Sequence, residues 1–474
     1  MTICHDFFMQ KLKINNKQKI LFIGIGGKGL NGIAKICIQK GYGVCGVDIN
    51  RKRETIDLEK IGTEIFYSHS SKNVTEDIDL VVYSSVIKKC PEIIKAKKIG
   101  IKIMKRSEFL GEITKNDYRL CVSGSHGKST TTAILGLSMI NSGIDATIFG
   151  GAYTKEINGY NHLGKTNYSI LESCEFDRSF FNLVGRATIL TSVEKSHMEY
   201  YKDENEMKQA FRDYFKMHKS DSLVVANGDD LNVRMVTFES QAKVKYFGFN
   251  QQNDFVIKVD QQNQDGSIFS VYENDKLILG NIKIYIPGEY NIKNFAAAAI
   301  MMYELGLPLG GIHETAKVFS GVGRRFEVNR SRTGQILVDD FAHHPSQVKS
   351  LFDGIKQFYP DKKVYAVFEP RQFNLIKNFI REYGQSFKMA DEIIVTDILP
   401  ALNDTKSDIS SVSVNDIQNS IKLYSGKSVI KINNYNKIYE YLKHRTDQDS
   451  LITTIGAGDI YKVRDKFLVW YNIL

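Results

Sequence analysis

Cysteine is scarce in this chain, and what there is lies scattered. The six residues, at positions 4, 37, 45, 90, 121 and 174, never form a CxxC pair and sit mostly in apolar, strand-like or helical surroundings. That excludes a zinc ribbon or a disulfide frame and indicates the reduced core residues of a cytoplasmic protein. Long apolar runs are missing as well: no segment approaches the ~20 residues of a membrane span. The opening MTICHDFFMQKLK has no sustained apolar stretch before a small-residue cleavage site, so residues 1–18 read as a leader rather than an export signal. Nor is charge of one sign concentrated. The 63 basic and 54 acidic residues are interspersed, and a net charge of +9 describes a solvated surface rather than a face for nucleic acid or membrane.

With 42% apolar and 25% charged residues, the composition is that of an ordinary globular protein. A chain of 474 residues is long for one core, and about 150 residues per domain predicts three.

The first runs from 1 to 112. A strand over 20–25 precedes GIGGKGLNGIAKICIQKGYGVCGVDIN, in which Gly24, Gly26 and Gly29 form GxGxxG, a helix covers 31–39 and a second strand covers 44–47. GxGxxG alone is weak; here it sits in a βαβ unit, and Asp48 ends the second strand where it can meet a ribose hydroxyl. The plainer alternative is that the glycines only let the helix pack on the sheet. IDLVVYSSV places Ser84 and Ser85 at the carboxyl end of another strand. Ligands of open parallel sheets collect there, although helix capping is the commoner use of serine.

The second domain, 113–323, carries VSGSHGKSTTTAILG. Val122 stands where the strict phosphate-loop pattern needs glycine, leaving a shorter core of Gly124, Gly127, Lys128 and Ser129 between a strand over 118–122 and a helix over 130–139. Backbone N–H groups at a helix amino end carry partial positive charge and Lys128 adds a full one, so the loop reads as a phosphate cradle. Glu172 ends a strand over 168–171, and His197 follows one over 187–191. In a parallel sheet both end on the loop's side, so Ser129, Glu172 and His197 are expected around one volume, with oxygen ligands suited to the Mg²⁺ of a triphosphate. Taken singly, Glu172 reads as a surface carboxylate and His197 as a packing residue. Asn291 and Asn294, three apart at the start of an alanine-rich helix, share a face, and their amides offer the donor and acceptor that adenine needs.

The third domain, 324–474, opens near GVGRRFEV. A strand over 335–338 is expected to deliver Asp339, Asp340, His343 and His344 ahead of a helix, and VYAVFEP, EIIVTDI and SLITTIGAGDI repeat the strand-then-loop pattern of a further α/β sheet. Adjacent histidines rarely share one metal in a short turn and no sulfur ligand is near, which argues against zinc.

In order, GIGGKGLNGIA, SGSHGKSTT, LESCEFD, SVEKSHMEYY, PGEYNIKN, GVGRRFE, DDFAHHP and GAGDI resemble the Mur ligases over nearly the whole chain, and their alanine-adding branch most of all. The shortened GxxGK[ST] loop is the form that family uses. The resemblance implies an α/β fold of three domains: a Rossmann-like UDP-binding domain, a central P-loop-type ATPase and a carboxyl-terminal Rossmann-like domain that closes over ATP. It implies ATP-dependent addition of L-alanine to UDP-N-acetylmuramate through an acyl phosphate, by a cytoplasmic monomer or homodimer. Gly124, Ser125, Gly127, Lys128, Ser129 and Thr130 would cradle ATP, Asn291 and Asn294 face adenine, Arg325 the phosphates and Asp340 the ribose. Ser129 and Glu172 would hold one Mg²⁺ and His197 a second. Gly24, Gly26, Gly27 and Gly29 would approach the UDP pyrophosphate, with Asp48, Ser84 and Ser85 nearby and His126 beside the muramyl group. His343, His344 and Arg371 would meet the amino acid; Lys128, Glu172, His197 and His343 would carry the chemistry.

Three residues depart from the family pattern. Cys174 stands where it has aspartate, Ser192 where it has asparagine and Ser196 where it has aspartate, which is expected to strip polar partners from the site. The stretch 369–376, EPRQFNLI, differs from the alanine-adding branch and is closer to the ligase that recycles an intact tripeptide. Tripeptide addition, use of another amine, a silent nucleotide-sugar binder and a dehydrogenase are the alternative readings.

Overall fold

The structure, a computed structural model, describes residues 18–469 except 88, 198–199, 332 and 402–403; the leader, apart from residue 18, lies outside them. Three sheets organise the described residues.

The first has five parallel strands in the order Glu64–Phe66, Gly43–Val47, Lys19–Ile23, Leu80–Tyr83, Lys102–Lys105. The chain enters at the middle strand and winds out to each side in turn, so the crevice at its carboxyl end is a topological switch point. Register explains what gathers there: Ile23 pairs with both Val47 and Tyr83, and Gly24, Asp48 and Ser84 therefore leave the sheet side by side.

The second sheet has ten strands. In its parallel centre Val122 pairs with Glu172 and Ser123 with Leu190, which brings the phosphate loop, Glu172 and the segment after Leu190 to one edge. An antiparallel meander, Phe255–Asn263, Gly266–Glu273 and Lys276–Ile284, extends one side. Helices Lys128–Asn141 and Glu289–Glu304 cover one face, burying Ile134, Leu135, Phe295 and Ile300 against Val122, Ile170 and Ile189. The alanine run 296–299 sits inside this core, where small side chains let the helix come close.

The third sheet has six strands, parallel except for Glu327–Arg330 at its edge. One expectation is corrected here. The strand runs Ile336–Asp340, so Asp339 and Asp340 belong to it instead of following it. Buried carboxylates persist in a strand only when their charge is met. Asp339 accepts from Arg324 Nε at 3.0 Å and from the Thr454 hydroxyl at 2.6 Å; Asp340 accepts from the backbone N–H groups of Phe326 and Ala342, both at 2.7 Å.

The two seams between the sheets differ in kind. Cys121, Phe149, Leu171 and Leu183 of the second unit lie in one apolar cluster with Phe22, Ile33, Phe109 and Leu110 of the first. Gly111 faces the Asn182 backbone carbonyl too closely to admit a Cβ, and a Cβ on Gly32 would have to displace the Asn161 side-chain amide. The third unit keeps its own clusters on the two faces of its sheet. It meets the second mainly through polar contacts, among them Gln347 Nε2 with His126 Nδ1 at 3.0 Å and Gln262 Nε2 donating to Gln357 Oε1 at 3.1 Å.

Candidate active site

The phosphate loop joins strand Tyr118–Ser123 to helix Lys128–Asn141. Gly124 has φ +134° and Gly127 φ +82°, a region that favours glycine. A Cβ on Gly124 would strike the Thr191 hydroxyl, and one on Gly127 would lie 2.8 Å from Asn294 Oδ1. The segment after strand Ala187–Leu190 stitches the loop in place: Ser125 N–H donates to the Ser192 carbonyl at 2.9 Å and His126 N–H to Ser192 Oγ at 3.1 Å. Ser192 thus supplies a polar partner where its loss was expected. Ser196 does likewise, donating to Glu175 Oε1 at 3.0 Å.

Lys128 folds back on its own loop. Its Nζ donates to the carbonyls of Gly124 and Ser125 and lies 2.9 Å from Glu175 Oε2, with Glu175 fully buried. Burial alone would favour the neutral forms of both groups, but their mutual attraction outweighs it: the ammonium is held above its ordinary pKa and the carboxyl below. An ionised pair therefore occupies the loop. His197 Nε2 lies 3.6 Å from Glu175 Oε1, and the ligating atoms of Cys174, Glu175 and His197 fall within 4.8 Å of one another. His197 has φ +54°, unusual for a residue with a side chain and found where surroundings over-determine the backbone.

In front of the loop lies a cavity of about 980 Å³ between the second and third units. Ser125, His126, Gly127, Lys128, Ser129, Thr130, Glu172, Asn291, Asn294, Arg325 and Asp340 all line it, so it gathers eleven of the expected residues. Gly124, His197, His343, His344 and Arg371 do not. Glu172 accepts from Gly151 N–H at 2.8 Å. Asn291 and Asn294 spend much of their hydrogen-bonding capacity inside the protein: Asn291 Nδ2 donates to Pro287 O at 2.7 Å, Asn294 Nδ2 to Asn291 Oδ1 at 3.2 Å, and Thr131 Oγ1 to Asn294 Oδ1 at 3.0 Å. They tie the alanine-rich helix to the phosphate loop. Burial lifts the Asp340 carboxyl to about 6 although Arg325 works against it.

The paired histidines are held by the third unit. His343 Nδ1 lies 3.0 Å from Phe341 O, and His344 caps helix Pro345–Phe358, accepting from Ser346 N–H. Burial pushes their pKa values down to about 3 and about 4, so both are neutral near pH 7. Arg371 follows Glu369, whose carboxylate is buried and engaged by the Tyr435 hydroxyl and, at 3.3 Å, by Ile460 N–H.

The first unit's glycine loop is braced by Asp48. Gly26 N–H donates to its Oδ2 at 2.9 Å and Asn50 N–H to its Oδ1 at 3.1 Å. A Cβ on Gly26 would lie 2.8 Å from that same carboxylate oxygen. The geometry thus gives Asp48 a loop-holding task, where the sequence suggested a ribose contact. Ser84 packs near Gly24, and its N–H bonds the carbonyl of Ile23 at 3.2 Å.

Sequence matches fall into three consecutive stretches. Residues 19–118 match the Mur ligase family, catalytic domain; 122–302 the Mur ligase middle domain; and 324–458 the Mur ligase, glutamate ligase domain. A UDP-N-acetylmuramate–L-alanine ligase of Caldanaerobacter subterraneus subsp. tengcongensis is 35% identical over 461 residues, 97% of this chain and 99% of that one. The chain belongs to the Mur ligase family. The enzyme of the same name from Clostridium kluyveri is 33% identical over 457 residues, 96% of this chain and 98% of that one. In fold, this Mur ligase is similar to the crystal structure of UDP-N-acetylmuramate-alanine ligase MurC from Thermotoga maritima, with a TM-score of 0.80 at 24% identity over 96% of this chain and 99% of that one.

Two residues of this Mur ligase escaped the sequence reading. Glu175 belongs to LESCEFD, but nothing local marks it as the partner of Lys128, 47 positions away. Tyr290 lines the cavity beside Asn291; a tyrosine at a helix start carries no signal of its own.

Proposed function

We propose that the chain is an ATP-dependent ligase that joins L-alanine to UDP-N-acetylmuramate, with the division 1–112, 113–323 and 324–474 separating nucleotide-sugar, ATP and amino-acid tasks. The observation that carries this reading is the phosphate loop with Lys128 opening on a cavity that the third unit closes with Arg325 and Asp340. The relatives' shared name supplies the substrates.

A carboxylate oxygen of the muramyl group attacks the γ-phosphorus of ATP, and ADP leaves. The amine nitrogen then attacks the acyl carbon, loses a proton, and phosphate departs, leaving an amide. Lys128 moves from Glu175 to the transferring phosphoryl group and balances the charge that develops there. Arg325, on the third unit, adds a second cation when it closes on the nucleotide. The hydroxyl of Ser129 and the carboxylate of Glu172 are hard oxygen donors on one cavity wall, which fits Mg²⁺, with His197 at a second position; the ion would neutralise phosphate charge. His343 and His344, neutral at working pH, are suited to orient the incoming amine without repelling it.

The tripeptide alternative gains nothing from Glu369, which is locked inside the third unit's fold. No helix among the described residues is long and apolar enough to cross a membrane, and we place the reaction in the cytoplasm, in a monomer or homodimer.

The test is ADP release from UDP-N-acetylmuramate and ATP with L-alanine, L-serine, glycine or the tripeptide offered in parallel. L-Alanine should give the highest kcat/KM; stimulation by the tripeptide alone, or by none of the four, rejects the assignment.

A further inference from the structure

An imidazole, a thiol and a carboxylate meet at one point of the first unit, and none of the three lines the ATP cavity. His69 Nδ1, Cys90 Sγ and a carboxylate oxygen of Glu92 lie within 4.8 Å of one another. Two separate segments bring them there. His69 follows strand Glu64–Phe66; Cys90 caps helix Pro91–Lys98 and Glu92 is its second residue. No CxxC spacing announces them.

The two oxygens of Glu92 are used differently. Oε1 accepts from Ser70 N–H at 2.7 Å and from Asn73 Nδ2 at 2.9 Å, and that amide is itself anchored on the Ser68 carbonyl at 2.8 Å. Oε2 faces His69 Nδ1 at 3.0 Å. One oxygen thus fixes the direction of the carboxylate, as the outer partners of a metal ligand do, and the other is turned to the centre. Glu92 is fully buried. Burial opposes its charge, but the bond from Ser70 N–H and its other hydrogen bonds outweigh that and hold the carboxyl below its ordinary pKa. A buried anion calls for a counter-charge, and the basic group facing it is the imidazole of His69, an exposed residue.

The donor set suits zinc better than magnesium, which prefers oxygen alone. Around a tetrahedral zinc ion, nitrogen, oxygen and sulfur ligands stand roughly 3.3–3.5 Å apart. His69 and Glu92 are already near that spacing, and Cys90 would close by no more than about 1.3 Å to reach it. The exposure of His69 leaves the fourth position to water. The other sulfur-bearing cluster, Cys174, Glu175 and His197, belongs to the active site, where Lys128 already holds the carboxylate.

We propose that His69, Cys90 and Glu92 form a zinc site, with water as the fourth ligand, that clamps the loop 68–73 to the start of helix Pro91–Lys98. Both segments follow the carboxyl ends of strands, Glu64–Phe66 and Leu80–Tyr83, so the ion stiffens that edge of the first sheet. Such a clamp does not depend on the ligase reading. Burial pushes the Cys90 thiol up to about 11; on binding, its sulfur gives up that proton to solvent.

The test is a Co²⁺ titration of the full-length protein, stripped of metal by a chelator, in a Cys174→Ser background that silences the active-site thiol. One equivalent should raise the near-ultraviolet charge-transfer band of a cobalt–thiolate bond, and Zn²⁺ should displace it. Adding Cys90→Ser should abolish the band. Adding His69→Gln, at an exposed position, should keep the thiol yet weaken binding by more than about tenfold, the cost of losing even an outer partner. Zn²⁺ should raise the melting temperature of Cys174→Ser and of neither double variant. No band in the Cys174→Ser protein overturns the inference, as does a band that survives Cys90→Ser or an affinity unmoved by His69→Gln. Should Cys90→Ser fail to fold, His69→Gln decides.

Discussion

The chain builds the same device twice, a strand, a glycine turn and a helix, and finishes the two differently. In the first copy, Gly24 to Gly29, a carboxylate from the neighbouring strand enters the turn: Asp48 takes the Gly26 N–H, and the loop's own lysine points outward to the third unit. In the second, Gly124 to Lys128, the lysine turns inward onto the loop carbonyls and Glu175. The first loop is thus fixed and presents its cation to whatever arrives. The second stores its cation in a buried ion pair and must release it. The lesson is that a glycine loop's backbone gives a seat for phosphate, while the partner of the nearest lysine decides whether that seat is open or latched.

The largest effect expected from this contrast comes from removing the stored cation. Lys128→Ala should lower phosphate release by at least about 10³-fold while calorimetric binding of the nucleotide sugar stays near wild type; parallel loss of both would erase the distinction between the loops. Next comes the latch. Glu175→Gln leaves a buried ammonium without its counter-charge, and breaking such a pair costs roughly 3–5 kcal/mol, readable by denaturant unfolding. Because a triphosphate would supply the missing charge, ATP should raise the melting temperature of Glu175→Gln more than that of the wild type; an equal rise would show that Lys128 is not released to the nucleotide.

A smaller effect is expected at the braced loop. Asp48→Ala frees the Gly26 N–H and should weaken nucleotide-sugar binding by about tenfold, the worth of a charge-assisted bond to backbone, with ATP affinity unchanged. The smallest is a pH effect at His218, in the unit that carries the second loop; His343 and His344 of the third unit, also pushed down by burial, add to it with the same sign. His218 is buried, accepts or donates at 2.8 Å to Thr188 and is pushed down to about 4 by burial. The unfolded chain, with an ordinary histidine near 6.5, binds the proton first, so this residue's contribution to stability is present above pH 6.5 and is lost as pH falls towards 4. Between pH 7.5 and 6 the loss should stay under about 1 kcal/mol. His218→Gln should make that part of the stability profile shallower, with His343 and His344 keeping the rest of the slope; an unchanged slope would show that His218 takes no part in it.

Much of this architecture was legible because it is local. Strand, turn and helix signals around Gly24 and Gly124 lie within a dozen residues, and only element ends moved: the helix after Gly27 begins at Lys28, three positions earlier than periodicity suggested, because the turn runs straight into it. Glu172 was legible through topology, since parallel strands end on one side. What stayed hidden depends on pairing across the chain. Asp339 looked like a loop residue because a charged side chain is unexpected inside a strand, and only Arg324 and Thr454 make it admissible. Glu175 and Lys28 are ordinary charges until their distant partners are placed beside them. Ser192 and Ser196 looked like losses because a pattern records residue types, whereas a hydroxyl at the right spot can still bond to His126 N–H or Glu175.

The shared apolar cluster between the first two units and the polar seam with the third leave the enzyme with one joint rather than two. Swinging the last unit towards the nucleotide exchanges bound water for polar contacts and hides little hydrocarbon, so that motion should carry almost no heat-capacity change. Curvature in a plot of rate against reciprocal temperature would then report on the bond-making steps and not on the hinge.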